Sequence, residues 1–65
     1  MDERQYRRLR ADLAIDMRRG DVAPGLDGLV MHITKNANLP LAQAREAANR
    51  FLTELRNDIR ASRQG

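Results

Sequence analysis

An all-α fold of three helices, with the C-terminal one the longest, follows from three observations on the sequence. Apolar residues recur at helical spacing in three separate runs, and Gly, Pro and Asn collect in two short stretches between them. Acidic residues open the first run and basic residues close it, as the helix dipole favours. The expected helices cover about 2–19, 24–36 and 40–61, in a single domain spanning 1–65.

In the first run, Tyr6, Leu9, Leu13 and Met17 are spaced 3, 4 and 4 apart and define one face. Asp2 and Glu3 occupy its first turn, Arg18 and Arg19 its last, and Gly20 stops it. Surface pairs such as Arg8 with Asp12 contribute only some tenths of a kcal/mol, so the apolar stripe decides the helix. The stretch Gly20-Asp21-Val22-Ala23-Pro24-Gly25 reads as a linker, with Pro24 opening the second helix. There Leu26, Leu29, Val30 and Ile33 follow the i, i+3, i+4, i+7 pattern. Gly28 inside that helix costs about 1 kcal/mol relative to Ala, which suggests a close helix approach at that point.

Asn36-Ala37-Asn38 followed by Leu39-Pro40 marks a stop and a restart, because Asn tolerates the left-handed conformation that ends helices and Pro is suited to the start of the next. So short a connection makes helices two and three neighbours. In the third run Leu41, Ala44, Ala48, Phe51, Leu52, Leu55 and Ile59 form one stripe. A strict heptad begun at Ala44 and Phe51 would reach Asp58, whereas the apolar seam has drifted to Leu52 and Ile59, so a globular bundle is expected rather than an extended coiled coil. Residues 62–65 offer nothing large to bury and are expected to fray.

Length and composition narrow the function classes. At 65 residues a single core is marginal, and with no cysteine neither a disulfide nor a thiolate metal site reinforces it, which fits a reducing, cytoplasmic setting. No apolar run approaches the ~18 residues of a membrane span, and the charged N-terminus MDERQYRRLR lacks a signal core, so no membrane association or export is expected. The third helix is longer than the two that cover it. Both points predict a homodimer, with Phe51, Leu55 and Ile59 near the twofold axis. Ile15 lies about 200° around its helix from Leu13, and Met31 about 140° from Leu26, which makes these two apolar residues candidate partner contacts.

Catalytic chemistry finds little to work with. Nucleophilic catalysis has no Cys, and the serine inventory ends at Ser62 in the tail. His32 has no second His or Cys and no carboxylate at i+3 or i+4, so no metal site is expected. Asp12 with Asp16, and Glu54 with Asp58, read as solvated helix faces. Gly25-Leu26-Asp27-Gly28 is too short for a phosphate loop and is not followed by Lys and Ser or Thr. The expectation is therefore no enzyme, no cofactor and no small-molecule substrate.

Charge leaves one alternative. Lys plus Arg number 12 against 9 Asp plus Glu, and the net charge is +3. Residues 1–20 carry six cations and four anions, and residues 39–65 five and three, so the excess sits on the outer helices. Arg4, Arg7, Arg8 and Arg10 are the candidate phosphate contacts, with Arg45, Arg56, Arg60 and Arg63 along helix three. The single Tyr and single Phe both fall at core positions, which leaves stacking on bases unsupported. As a helix-turn-helix reader, the third helix would present Leu41-Ala42-Gln43-Ala44-Arg45-Glu46 to base edges, with only one basic residue and an acid next to it, which argues against base reading.

The run LVMHITKNANLPLAQAREAANRFLTELRNDI, Leu29 to Ile59, resembles the N-terminal helix hairpin of the HU and integration-host-factor group of bacterial DNA-bending proteins. The likeness covers about half of the chain and rests on apolar spacing and alanines. It implies a dimerising hairpin only, because the glycine-rich β-segment and Arg-Asn-Pro arms that carry DNA contact in that group have no counterpart in this sequence. The expected function is thus a small interaction or adaptor protein that docks on a larger protein and modulates it. The alternative is a basic, nucleic-acid-associated dimer that contacts phosphates through Arg.

Overall fold

A computed structural model describes residues 1–64 of the chain, and the side chains of residues 1–62. It contains α1 (Glu3–Arg18), α2 (Leu26–Ala37) and α3 (Leu41–Gln64), so the three-helix, all-α expectation holds. α1 and α3 run in the same sense: Met1 and Tyr6 lie beside Gln43, Ala47 and Arg50, while Ala14 and Arg18 lie beside Leu55 and Asp58. α2 returns between them, and α2 with α3 is the most closely packed pair.

Local chemistry sets each helix end. Asp2 caps α1 by accepting from the Gln5 backbone N–H at 2.8 Å, while the Gln5 side chain accepts from the Asp2 N–H at 3.1 Å. This reciprocal box satisfies two of the helix's orphan donors. At the other end the Gly20 N–H donates to Met17 and the Asp21 N–H to Asp16, at 3.1 and 2.9 Å. That pair of bonds requires a left-handed residue after the helix, and Gly20 supplies it at φ 77°. Asn38 closes α2 in the same conformation, at φ 55°, as the Asn-rich stop predicts. The Pro40 carbonyl then accepts the first bond of α3 from Ala44 at 2.9 Å.

Two boundaries differ from expectation. Pro24 does not open α2; Gly25 is its N-cap and Leu26 its first residue, leaving Pro24 one position outside. α3 continues to Gln64 rather than ending near 61. The fray expected over 62–65 falls largely outside the described residues, which exclude the side chains of 63 and 64 and all of 65.

The core consists of Tyr6 and Leu13 from α1, Leu29, Val30 and Ile33 from α2, and Ala44, Ala47, Ala48 and Phe51 from α3. Val22 joins them although it lies in the linker, so the connection is pinned to the core by its one large apolar residue. Leu9, Met17, Leu39, Leu52 and Leu55 pack half-buried around this centre. Leu41, placed on the buried stripe by its spacing, is 60% exposed, and Ile59 is 49% exposed. Eighteen residues make five turns, so these two point the same way, toward one flank of the stripe. That flank is covered only in mid-helix, where Leu52 is half-buried.

No close approach occurs at Gly28. The residue is exposed, and a Cβ built there would meet only the Ala23 carbonyl oxygen, at 3.9 Å, an ordinary contact. Its backbone is helical, so the missing side chain is a pure propensity cost. Gly28→Ala is therefore expected to stabilise the domain by about 0.5–1 kcal/mol, raising Tm by several degrees in a domain of this size. A lower midpoint in urea would show that the space above Gly28 is used by something other than solvent.

Candidate functional site

Three features bring together the side chains capable of chemistry or recognition. The first is a polar cluster that straps α1 to α3 around Tyr6. The Tyr6 hydroxyl donates to Glu54 Oε2 at 2.9 Å, and Arg10 donates to the same oxygen at 3.2 Å. Arg50 donates to both carboxylate oxygens of Glu3, one of them at 2.8 Å, and to Glu54 Oε1 at 3.3 Å. Its guanidinium carbon stands 3.9 Å above the centre of the Tyr6 ring. A planar, delocalised cation suits both the fork on Glu3 and the stack on the ring, and Lys would reproduce neither.

The electrostatics follow from those contacts. Hydrogen bonding from Arg50 holds Glu3 below the usual carboxylate range. Burial would push Glu54 upward, but the hydrogen bonds from Tyr6 and Arg10 outweigh it and leave that carboxyl lowered as well. Both acids are thus committed anions at neutral pH. Burial, reinforced by the bond to Glu54, pushes the Tyr6 phenol up to about 12. A phenol so hard to deprotonate, locked between charged partners, is suited to holding two helices together rather than to transferring protons.

Because Tyr6 is the sole tyrosine and tryptophan is absent, its ionisation can be followed directly by ultraviolet absorbance. The folded pKa lies above the unfolded one, so the stabilisation is complete below about pH 10 and is lost as pH rises toward about 12. The expected titration midpoint is well above that of free tyrosine, coupled to a falling Tm across the same window. In Tyr6→Phe this alkaline dependence should vanish while stability at neutral pH drops by about 1–2 kcal/mol, since the lost hydrogen bond is to a charged group. A normal phenol midpoint in the folded chain would contradict the Tyr6–Glu54 contact.

The second feature lies between α1 and α2. His32 Nε2 is 2.8 Å from Asp16 Oδ2, and Asn36 Nδ2 is 3.3 Å from His32 Nδ1 and donates to the His32 carbonyl at 2.9 Å. These contacts suit the tautomer that carries its proton on Nε2 and accepts from Asn36 at Nδ1. A cleft of about 250 Å³ beside them is lined by Arg8, Leu9, Asp12, Asp16, His32 and Asn36, among others. Among the described residues no group of three or more His, Cys, Asp or Glu is placed to hold a metal ion. One member of each carboxylate pair noted in the sequence is engaged elsewhere: Asp16 by His32, and Glu54 by the Tyr6 strap.

The third feature is an open groove of about 810 Å³ between α1 and the C-terminal half of α3. Ala11, Ala14, Met17, Phe51 and Leu55 form its apolar surface. Arg7, Arg10 and Arg18 stand along the α1 side, Glu54 and Asp58 along the α3 side. The α1 side of the groove is therefore basic and the α3 side acidic, and the two meet where Arg10 pairs with Glu54 at 3.2 Å.

The residues proposed from sequence fall as follows. Phe51 is 6% exposed, so the chain's own core already covers most of it; Leu55 is half-buried at the groove and Ile59 is exposed beyond. Ile15 and Met31 are exposed, at 49% and 74%, yet neither lines the groove or the cleft between α1 and α2. Arg4, Arg7, Arg8 and Arg10 do not form one patch. They spread over about 160° of α1, Arg7 and Arg10 on the α3 groove, Arg8 on the α2 cleft, and Arg10 is engaged by Glu54.

Sequence reasoning passes over Arg50, the hub of the strap. The local signal was its i,i+4 relation to Glu54, which the structure shows as an ion pair at 3.3 Å. No helix among the described residues is long and apolar enough to cross a membrane. Compared with known proteins, the chain matches no protein-family model, no curated protein and no solved structure. The likeness of Leu29 to Ile59 to the HU-type hairpin accordingly stands on residue spacing alone.

Proposed function

We propose that this chain is a non-enzymatic helical interaction module that docks on another protein through the groove between α1 and α3. The observation that carries this reading is the make-up of that groove, apolar residues from both helices with Arg7, Arg10 and Arg18 on the α1 side and Glu54 and Asp58 on the α3 side. Such a surface suits an amphipathic helical face whose apolar stripe has an acidic edge and a basic edge. Ala11 and Ala14 keep the α1 side low, which lets a helix backbone approach, and Met17 adapts its shape to what lies against it. The two polar clusters fit this role as internal braces, because Arg10–Glu54, Arg50–Glu3 and His32–Asp16 each join two helices.

Phosphate contact has less support, since the N-terminal arginines point in several directions and one is already paired. A photo-crosslinking amino acid placed at position 14, compared with one at position 31, tests the reading. Protein adducts from position 14 are expected, together with no binding to a generic DNA duplex at ~50 mM salt, where phosphate-driven association is strong. Salt-sensitive duplex binding without a protein adduct at position 14 would reverse the preference in favour of nucleic acid.

A further inference from the structure

We infer that the occupant of the α1/α3 groove is the same face of a second copy of this chain, related by a twofold axis that runs along the groove. The inference rests on the docking reading above and names its partner. Three observations lead to it.

Helix length is the first. α3 has 24 residues against 16 in α1 and 12 in α2, about 36, 24 and 18 Å at 1.5 Å per residue. The longest dimension of the molecule, 37 Å, is essentially α3 itself. Its own chain therefore runs out of helix to cover it, and beyond Phe51 the stripe goes on along the groove as half-buried Leu55.

Charge order is the second, and it selects the axis. A face with a basic wall on one side and an acidic wall on the other meets its copy in two symmetric ways. Rotation about an axis across the groove stacks arginines on arginines, which repels. Rotation about an axis along the groove sets the Arg7, Arg10 and Arg18 wall over the acidic wall of the copy, and the acidic wall over its arginines. The helices of the two copies then run parallel, α1 against α3 in both directions, as a four-helix layer. A heterologous partner would need this same charge order on its own surface, whereas a second copy carries it already.

The third observation is what remains uncommitted. Arg10 and Glu54 pair within the chain, but among the described residues Arg18 and Asp58 have no ion-pair partner although both line the groove. They stand at the same end of it, so the axis along the groove places Arg18 opposite Asp58 of the partner subunit. Neither residue is in the core, and both can be changed without touching the buried stripe.

The test uses the full chain and its charge-reversed forms, Arg18→Glu and Asp58→Arg. Light scattering at ~100 µM is expected to give twice the 7.4 kDa chain mass for the wild type. Arg18→Glu sets a carboxylate opposite Asp58 of the partner subunit and Asp58→Arg sets a guanidinium opposite Arg18 of the partner subunit, so each alone should self-associate at least ~10-fold more weakly. Mixed one to one, the two variants should recover a dimer containing one of each, with helical circular dichroism unchanged throughout. A wild type that stays single-chain at ~1 mM overturns the second-copy occupant, and adducts from position 14 to a different protein would then leave the docking reading standing. A wild-type dimer that both variants retain at full strength overturns the inference and places the contact away from the groove, and the docking reading then stands or falls on the adducts from position 14.

Discussion

Phe51→Ala is expected to abolish cooperative folding. The ring is 6% exposed and belongs to the single core that all three helices share. Truncating a buried Phe removes its transfer free energy and leaves a cavity that the surroundings only partly fill, at a cost of about 3–5 kcal/mol. A domain of this length has about 3–10 kcal/mol in total at the usual stability per residue. The substitution therefore consumes most of what holds the chain together, and the alanines at 44, 47 and 48 have no longer side chains to move into the gap. Thermal unfolding by circular dichroism should lose its sigmoidal shape, whereas Ile59→Ala, made at a 49% exposed site, should keep it. A cooperative transition in Phe51→Ala within about 1 kcal/mol of wild type would be incompatible with this core. It would mean that Phe51 is available for contact with another chain, as its place in the sequence suggests.

That contrast shows where the sequence is informative and where it stops. Spacing at three and four residues reports the direction in which a side chain leaves its helix, and it places Tyr6, Leu13, Leu29, Val30, Ile33, Ala44, Ala48 and Phe51 inward, where they are buried. It does not report how far a neighbouring helix extends. Leu41 and Ile59 share a direction with half-buried Leu52 and are exposed because that flank of α3 is covered only near Leu52. Val22 is missed for the opposite reason: a lone apolar residue in a linker has no period, and only the tertiary path of the chain brings it inward. The groove and the strap are less legible still. Tyr6 meets Glu54 across 48 positions and Glu3 meets Arg50 across 47, distances at which local periodicity is silent. Arg50 reads as one cation among many until the fold sets the Tyr6 ring beneath it.

Ala48→Leu is expected to destabilise the domain although it improves apolar character and keeps a strong helix former. Ala44 and Ala48 are fully buried and Ala47 nearly so, one small-residue strip on the helix that packs most closely with another, α2. Leu29 and Ile33 are the large, fully buried side chains of α2, so bulk on that helix is matched by small residues on α3. A leucine at 48 adds three carbons where no cavity has been left for them. Either the helices separate, which uncovers apolar surface along their length, or the side chain leaves its preferred rotamer; overpacking of this kind costs about 1–3 kcal/mol. In a domain of this size that corresponds to a fall in Tm of several degrees to more than ten. Ala42→Leu, on the exposed side of the same helix, separates propensity from packing and should leave Tm nearly unchanged. If both substitutions raised Tm alike, the alanine strip would be a propensity feature, and the close approach of α2 and α3 would owe nothing to the size of the residues between them.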